Sequence, residues 1–234
     1  MSDRQLDRKR LYYIGNLSIF TIGLGFAVRA NIAPNLQADI YDKIDLANSA
    51  SLLGEAMGAT FTGFALTLLF GSALVDLIGM KRMLLLSALG YVIGSAGLLV
   101  APMMAPGAAV QTTVLVSLLL TGLGWGAVEA ASNPMVAALY PEEKTHRLNI
   151  LHAWWPAGIV VGGLLGVAIT SMSLPWELNM LVLMLPALAL AWMVATSTFP
   201  VTERVASGVS YGEMFSELLK RPLFWVFWVC MFLT

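Results

Sequence analysis

Apolar residues fall into six long runs separated by short polar breaks, roughly 12–37, 50–78, 83–101, 110–139, 148–172 and 179–199. Each is close to the ~20 residues a bilayer core requires. None has the ten-residue alternation of a membrane β-strand, and irregular backbone cannot face lipid, so each run predicts a spanning helix. A further run starts at Pro222 and continues to Thr234. The break before it is the longest, and its stretch SYGEMFSELLKRP predicts a short amphipathic helix. Ser210 and Glu213 form a capping box. Met214, Phe215, Leu218 and Leu219 share one apolar face, Lys220 and Arg221 suit the C-terminal end, and Pro222 stops the helix.

Composition sets the class. The 234 residues are 58% hydrophobic and 12% charged, with a mean hydropathy of +0.78. A soluble domain is about a quarter charged, so the expected protein is integral to the lipid bilayer. A net charge of −1 leaves no polybasic signal for nucleic acid. One cysteine, Cys230, excludes a disulfide framework and a cysteine metal site. No phosphate loop, nucleotide motif or metal-ligand cluster appears, so neither an enzyme nor a cofactor is expected. The N-terminal MSDRQLDRKR lacks a cleavage site before its apolar run and reads as the lead into a retained first helix.

Basic residues set the expected orientation. Arg4, Arg8, Lys9 and Arg10, then Lys81 and Arg82, Lys144 and Arg147, and Arg204, Lys220 and Arg221 fall on one side, with Lys43 alone on the other. By the positive-inside rule the N-terminus is cytoplasmic, in a plasma or bacterial inner membrane.

Residues 23–34 read GLGFAVRANIAP and residues 122–134 read GLGWGAVEAASNP. With one inserted residue, Val28, Arg29, Ala30 and Pro34 fall on Val128, Glu129, Ala130 and Pro134, an offset of 100. The same offset carries Gly58 to Gly158 and Gly63 to Gly163. Three helices per copy make the copies inverted, a building plan of secondary transporters. The expected organisation is a cytoplasmic N-terminus at 1–10, three-helix repeats at 11–101 and 102–200, a linker at 201–221, and at 222–234 the truncated start of a seventh helix. Small residues four apart (Gly54 and Gly58, Gly90 and Gly94, Gly158, Gly162 and Gly166) predict close helix contacts. Pro34 and Pro134 are expected to bend their helices beside Arg29 and Glu129.

With this plan the chain resembles the major facilitator superfamily over its whole length. SALVDLIGMKR, residues 72–82, matches the second-loop pattern Gly-x-Leu-Ala-Asp-Arg-x-Gly-Arg-Arg-Arg at Asp76, Gly79, Lys81 and Arg82, with Ser72 and Leu77 departing from it. The resemblance implies a six-helix lobe of 3+3 inverted repeats that works with a second, missing C-terminal six-helix lobe, and a gating motif in which Asp76 pairs with a neighbouring helix's base or N-terminus. Glu129-Ala-Ala-Ser-Asn133-Pro134 and Arg147-Leu148-Asn149 are similar to Glu-Thr-Ala-Ala-Asn-Pro and Arg-Leu-Asn of the fucose–galactose–glucose proton symporters, which implies sugar and proton binding at Glu129. Those symporters also carry an acid in helix one, where this chain has Arg29 and Asn31.

Arg29, Glu55, Glu129 and His152 are ionisable groups well inside spans, where charge is costly and normally faces a cavity or a partner. Trp125, Glu129 and Asn133 share one helix face and suit a polyol, the ring packing on C–H faces and the polar groups taking hydroxyls. Asn149, His152 and Pro156 share another, with Trp155 beside it. Of Trp154 and Trp155, one is expected to face inward. Glu129 is also a candidate proton carrier, because burial disfavours a carboxyl's charged form. Counting from Arg10 puts Arg29 in the outer third of the membrane and Glu129 in the inner third. A direct or water-bridged pair between them requires a tilt, or a bend near Pro34. The expected function is alternating-access transport of a sugar or similar small polar solute, with the proton as coupling ion. The alternatives are transport of an anionic solute, a sugar acid or other carboxylate, through Arg29, and a non-transporting receptor of the same fold.

Overall fold

The computed structural model describes residues 6–233; Arg4 of the basic cluster and Thr234 of the last segment lie outside them. Among the described residues, six helices are long and apolar enough to cross a membrane. They are α1 (Arg8–Leu36), α2 (Ser49–Ile78), α3 (Met80–Val100), α4 (Ala108–Leu139), α5 (Lys144–Ser171) and α6 (Leu178–Ala195). Three short helices follow, α7 (Glu203–Ser207), α8 (Tyr211–Leu219) and α9 (Pro222–Leu233). Among the described residues there is no strand. The protein is a multi-pass, all-helical integral membrane protein.

Local chemistry sets the ends. Asp7 accepts the Arg10 N–H and starts α1. After Pro34 the helix continues through a π-helical turn, Gln37–Tyr41, to Ile44. A one-residue break at Gly79, with φ of +86°, divides α2 from α3, and only glycine takes that backbone without strain. The capping box of α8 is formed by Ser210 and Glu213.

Helices α1 and α4 occupy the centre. Their most apolar stretches are 72% and 67% buried, against 17% and 22% for α2 and α5, which leave broad apolar faces outside. α1 packs on α5 and α6; α4 packs on α2 and α3; α3 meets α6. Exchanging the first three helices for the second three maps this pattern onto itself, α1–α5 becoming α2–α4 and α1–α6 becoming α3–α4. The packing carries the duplication read from the sequence.

The glycines correct its register. A Cβ on Gly23 would lie 2.0 Å from the Trp155 carbonyl oxygen, and one on Gly158 would lie 2.2 Å from that of Phe20. On the other side, a Cβ on Gly122 would lie 1.9 Å from the Thr60 carbonyl oxygen, and one on Gly63 would lie 2.5 Å from that of Leu119. The equivalent crossings are therefore Gly23–Gly158 and Gly122–Gly63, so Gly63 corresponds to Gly158. The uniform offset of 100 fails in the second helix of each repeat because α1 runs on through the π turn. Gly54, Gly58 and Gly163 have nothing within 4 Å of a built Cβ, so they are not crossing points, whereas Gly90 and Gly94 abut α4 as expected.

Candidate functional site

On α4, Gly122 and Gly126 let α2 approach closely; a Cβ on Gly126 would lie 2.6 Å from the Phe64 carbonyl oxygen. This contact brings Phe61 and Phe64 of α2 beside Trp125. Together with Phe26 of α1 and Trp155 of α5 they line an open-sided cavity of about 320 Å³, to which Glu129 and His152 supply the ionisable groups. Phe26 is the hub, with ring centroids 6.0 Å from Trp155, 6.2 Å from Trp125 and 6.4 Å from Phe61. Both tryptophans are exposed, at 42% for Trp154 and 40% for Trp155; Trp155 lines this cavity, whereas Trp154 packs edge-on against Phe20.

Glu129 is half-buried, and Asn133 Nδ2 donates to its Oε2 at 3.1 Å. One turn along α4, Asn133 lines a second cavity of about 380 Å³, which Glu129 also borders. The walls of this cavity include Ser72 and Asp76 from α2 and Thr202 and Arg204 from the linker, so it opens on the basic face, the end of the bundle that holds Arg8, Lys81 and Lys144. Glu129 is the residue common to both cavities.

The buried Asp76 carboxylate accepts from the Thr202 hydroxyl with one oxygen and pairs with the Arg204 guanidinium through the other. Arg204 also donates to the Val209 carbonyl at 2.6 Å and lies 4.2 Å from the centroid of the Tyr211 ring. The hydrogen bond to Asp76 holds the Arg204 guanidinium above its ordinary range, with burial opposing it. Tyr211 donates to the Ala73 carbonyl at 2.7 Å, and Lys144 pairs with Glu203 at 2.5 Å. The linker thus straps the end of α2 to the start of α5. Lys81 donates to the Ala195 and Ser197 carbonyls at 2.8 and 2.9 Å, where the end of α6 presents unpaired, partly negative carbonyls. Arg82 is exposed. The partners of Asp76 escaped the sequence reading, although Thr202 before Glu203 is a visible helix N-cap signal.

Arg29 stands apart. Its Nη1 donates to the Met57 carbonyl at 3.0 Å, and its guanidinium lies 4.2 Å from the Phe61 ring centroid, 5.2 Å from that of Phe26 and 5.9 Å from that of Trp125. Among the described residues no hydrogen bond or ion pair joins Arg29 to Glu129, so the direct pair does not form. Inverted repeats mirror depth: Met57 lies in the first half of α2, whereas Ser72 and Asp76, near Glu129, lie in its last turns.

The other candidates separate. Asn31 donates to the Gly162 carbonyl at 3.0 Å and approaches Asn179 Oδ1 at 3.4 Å, so its amide bridges α1, α5 and α6 and borders neither cavity. Its fit depends on Gly166, where a Cβ would lie 2.0 Å from the amide nitrogen. Glu55 and Asn149 are exposed and line neither cavity.

A family model described as Major Facilitator Superfamily matches residues 15–234. No curated protein and no solved structure shows significant similarity to the chain.

Proposed function

The chain belongs to the Major Facilitator Superfamily, a family of membrane transporters, and from that premise we propose that it moves a sugar or similar polar organic solute, coupled to protons through Glu129. The observation that carries this reading is the position of Glu129 between an aromatic cavity and a second cavity on the basic face. Five aromatic rings suit the C–H faces of a polyol, and Glu129 and His152 supply hydrogen-bond partners for its hydroxyls.

In this account the basic face is cytoplasmic, and α9 leads into a second six-helix lobe that faces α2 and α5. The linker's hold on Asp76 stabilises one state of an alternating-access cycle. Release of Asp76 lets the lobe tilt and exposes Glu129 to the other side. The Arg29 guanidinium lies over Phe26 and Phe61 of the same aromatic cavity, at 5.2 and 4.2 Å from their ring centroids, so an organic anion is the alternative solute that the uptake comparison separates.

Uptake by vesicles containing the two-lobe protein tests the reading, with labelled neutral hexoses and polyols compared against sugar acids. Neutral solutes should accumulate, and Trp155→Ala should raise KM about ten-fold, a loss of roughly 1.4 kcal/mol. Flux of sugar acids alone would move the assignment to Arg29. Saturable binding without flux would make the protein a receptor.

A further inference from the structure

Helices α2 and α3 are joined by the single residue Gly79 yet scarcely touch beyond it, because each packs on α4. Between them lies a groove of about 560 Å³. Leu66, Phe70 and Leu74 of α2 form one wall, Leu86, Leu89 and Ile93 of α3 the other, and all six are exposed. Gly90 and Gly124 meet on its floor and bring no side chain to fill it. Among the described residues only Thr67 gives the lining a polar side chain.

The groove turns away from the solute path. Leu66, Phe70 and Leu74 stand two residues before Leu68, Ser72 and Asp76, which line the cavity beside Glu129. Two residues are about 200° of helix, so groove and cavity occupy opposite faces of α2. The length fits one leaflet: Met83 to Ile93 spans about 15 Å of helix, half of the ~30 Å hydrocarbon core.

Charge sits at the Gly79 end. Arg82 falls on the same stripe of α3 as Leu86, Leu89 and Ile93. It is exposed, and among the described residues no hydrogen bond or ion pair engages it. Its neighbour Lys81 is taken up by the Ala195 and Ser197 carbonyls. Helix α3 starts with no side-chain cap and no acid in its first turn, so its N–H groups add positive potential there. A cation at the mouth of an apolar slot one leaflet deep fits a lipid with an anionic head and an extended chain. A zwitterionic head would bring its ammonium to a place whose nearest acid along the chain, Asp76, is already held by Thr202 and Arg204.

We propose that the groove between α2 and α3 binds one anionic phospholipid of the phosphatidylglycerol class. Its phosphate sits on Arg82 and the uncapped start of α3, and one acyl chain runs along Leu86, Leu89 and Ile93. The lipid fills the cleft beyond Gly79 and ties α2 to α3, whichever solute the protein carries.

The test places the purified full chain in phosphatidylcholine nanodiscs with a trace of phosphatidylglycerol that bears a photoreactive group midway along one acyl chain. A parallel sample carries the same labelled chain on phosphatidylcholine. After illumination, peptide mass spectrometry locates the adducts. Phosphatidylglycerol adducts should concentrate on residues 66–74 and 86–93, at least about five-fold above those of phosphatidylcholine, the worth of one basic residue at an anionic lipid. Arg82→Gln should bring the two lipids level, whereas Lys9→Gln, on the same basic face, should keep the preference. Leu89→Trp fills the groove from an exposed position and should cut the adducts of both lipids there. Equal labelling of the groove by the two lipids in wild type would overturn the proposal, as would adducts spread evenly over the outer faces of α2 to α6. Loss of the groove adducts in the two-lobe protein would overturn it too, since a protein helix would then be the occupant. A preference retained in full by Arg82→Gln would overturn the placement of the headgroup.

Discussion

The glycine crossings give a prediction whose sign changes from site to site. In Gly122→Ala the new methyl would lie 1.9 Å from the Thr60 carbonyl oxygen, where ordinary contact begins at 3.4 Å, so α2 and α4 must part locally by about 1.5 Å. The obstacle is backbone and cannot rotate away. Overpacking of this kind costs about 1–3 kcal/mol. For a domain of this size that lowers Tm by roughly 2–12 °C. Gly158→Ala meets the Phe20 carbonyl oxygen at 2.2 Å and should behave alike. Gly58→Ala and Gly163→Ala meet nothing, and alanine gains about 0.5–1 kcal/mol over glycine inside a helix, so both should melt at or slightly above wild type. The assay is thermal unfolding of the four variants in one detergent or nanodisc preparation. The repeat register aligned by a fixed offset of 100 pairs Gly58 with Gly158 and Gly63 with Gly163. The packing pairs Gly63 with Gly158. If Gly58→Ala melts as low as Gly158→Ala, or if Gly122→Ala matches wild type, the packing argument fails.

Two further outcomes concern the linker. Asp76→Asn removes the charge that holds Arg204, so amide exchange at residues 203–208 should speed up by about ten-fold or more while α4 stays protected; unchanged exchange would mean that the strap does not depend on Asp76. Hydrogen bonds from Ser210 hold the Glu213 carboxyl below its ordinary range, so its contribution to α8 is present above the unfolded-state value and is lost as pH falls through the lower folded value. Protection factors for the first turn of α8 should therefore decline only in that acid window, and Glu213→Gln should abolish the pH dependence.

The spans were legible because a bilayer imposes length and apolarity on every helix, and the end of α4 at Leu139 and of α2 at Ile78 coincide with the ends of their apolar runs. The capping box at Ser210 was legible because it is local in sequence. The duplication was visible in the Arg29 and Glu129 helices, but the register of the next helix was not, since one π turn after Pro34 shifts everything beyond it. Trp125, Glu129, His152 and Trp155, singled out by helical spacing and the cost of charge in lipid, line the first cavity and Asn133 the second, although of these Trp125 alone is buried and His152 and Trp155 are exposed. Asn31 has the same polar signature as Asn133 but spends it between helices, a distinction that depends on Gly162 and Gly166 of another helix. The partners of Asp76 were hidden for the same reason: Thr202 and Arg204 lie 126 and 128 residues away in the chain.

The central claim is that Glu129 couples protons to solute at the junction of two cavities, and Glu129→Gln in the two-lobe transporter tests it most directly. Glutamine keeps the volume and a hydrogen-bond partner for the solute but cannot take up or release a proton. The account predicts that solute exchange down its own gradient persists, while accumulation driven by an imposed pH gradient disappears. Proton-driven accumulation at wild-type levels in Glu129→Gln would contradict it.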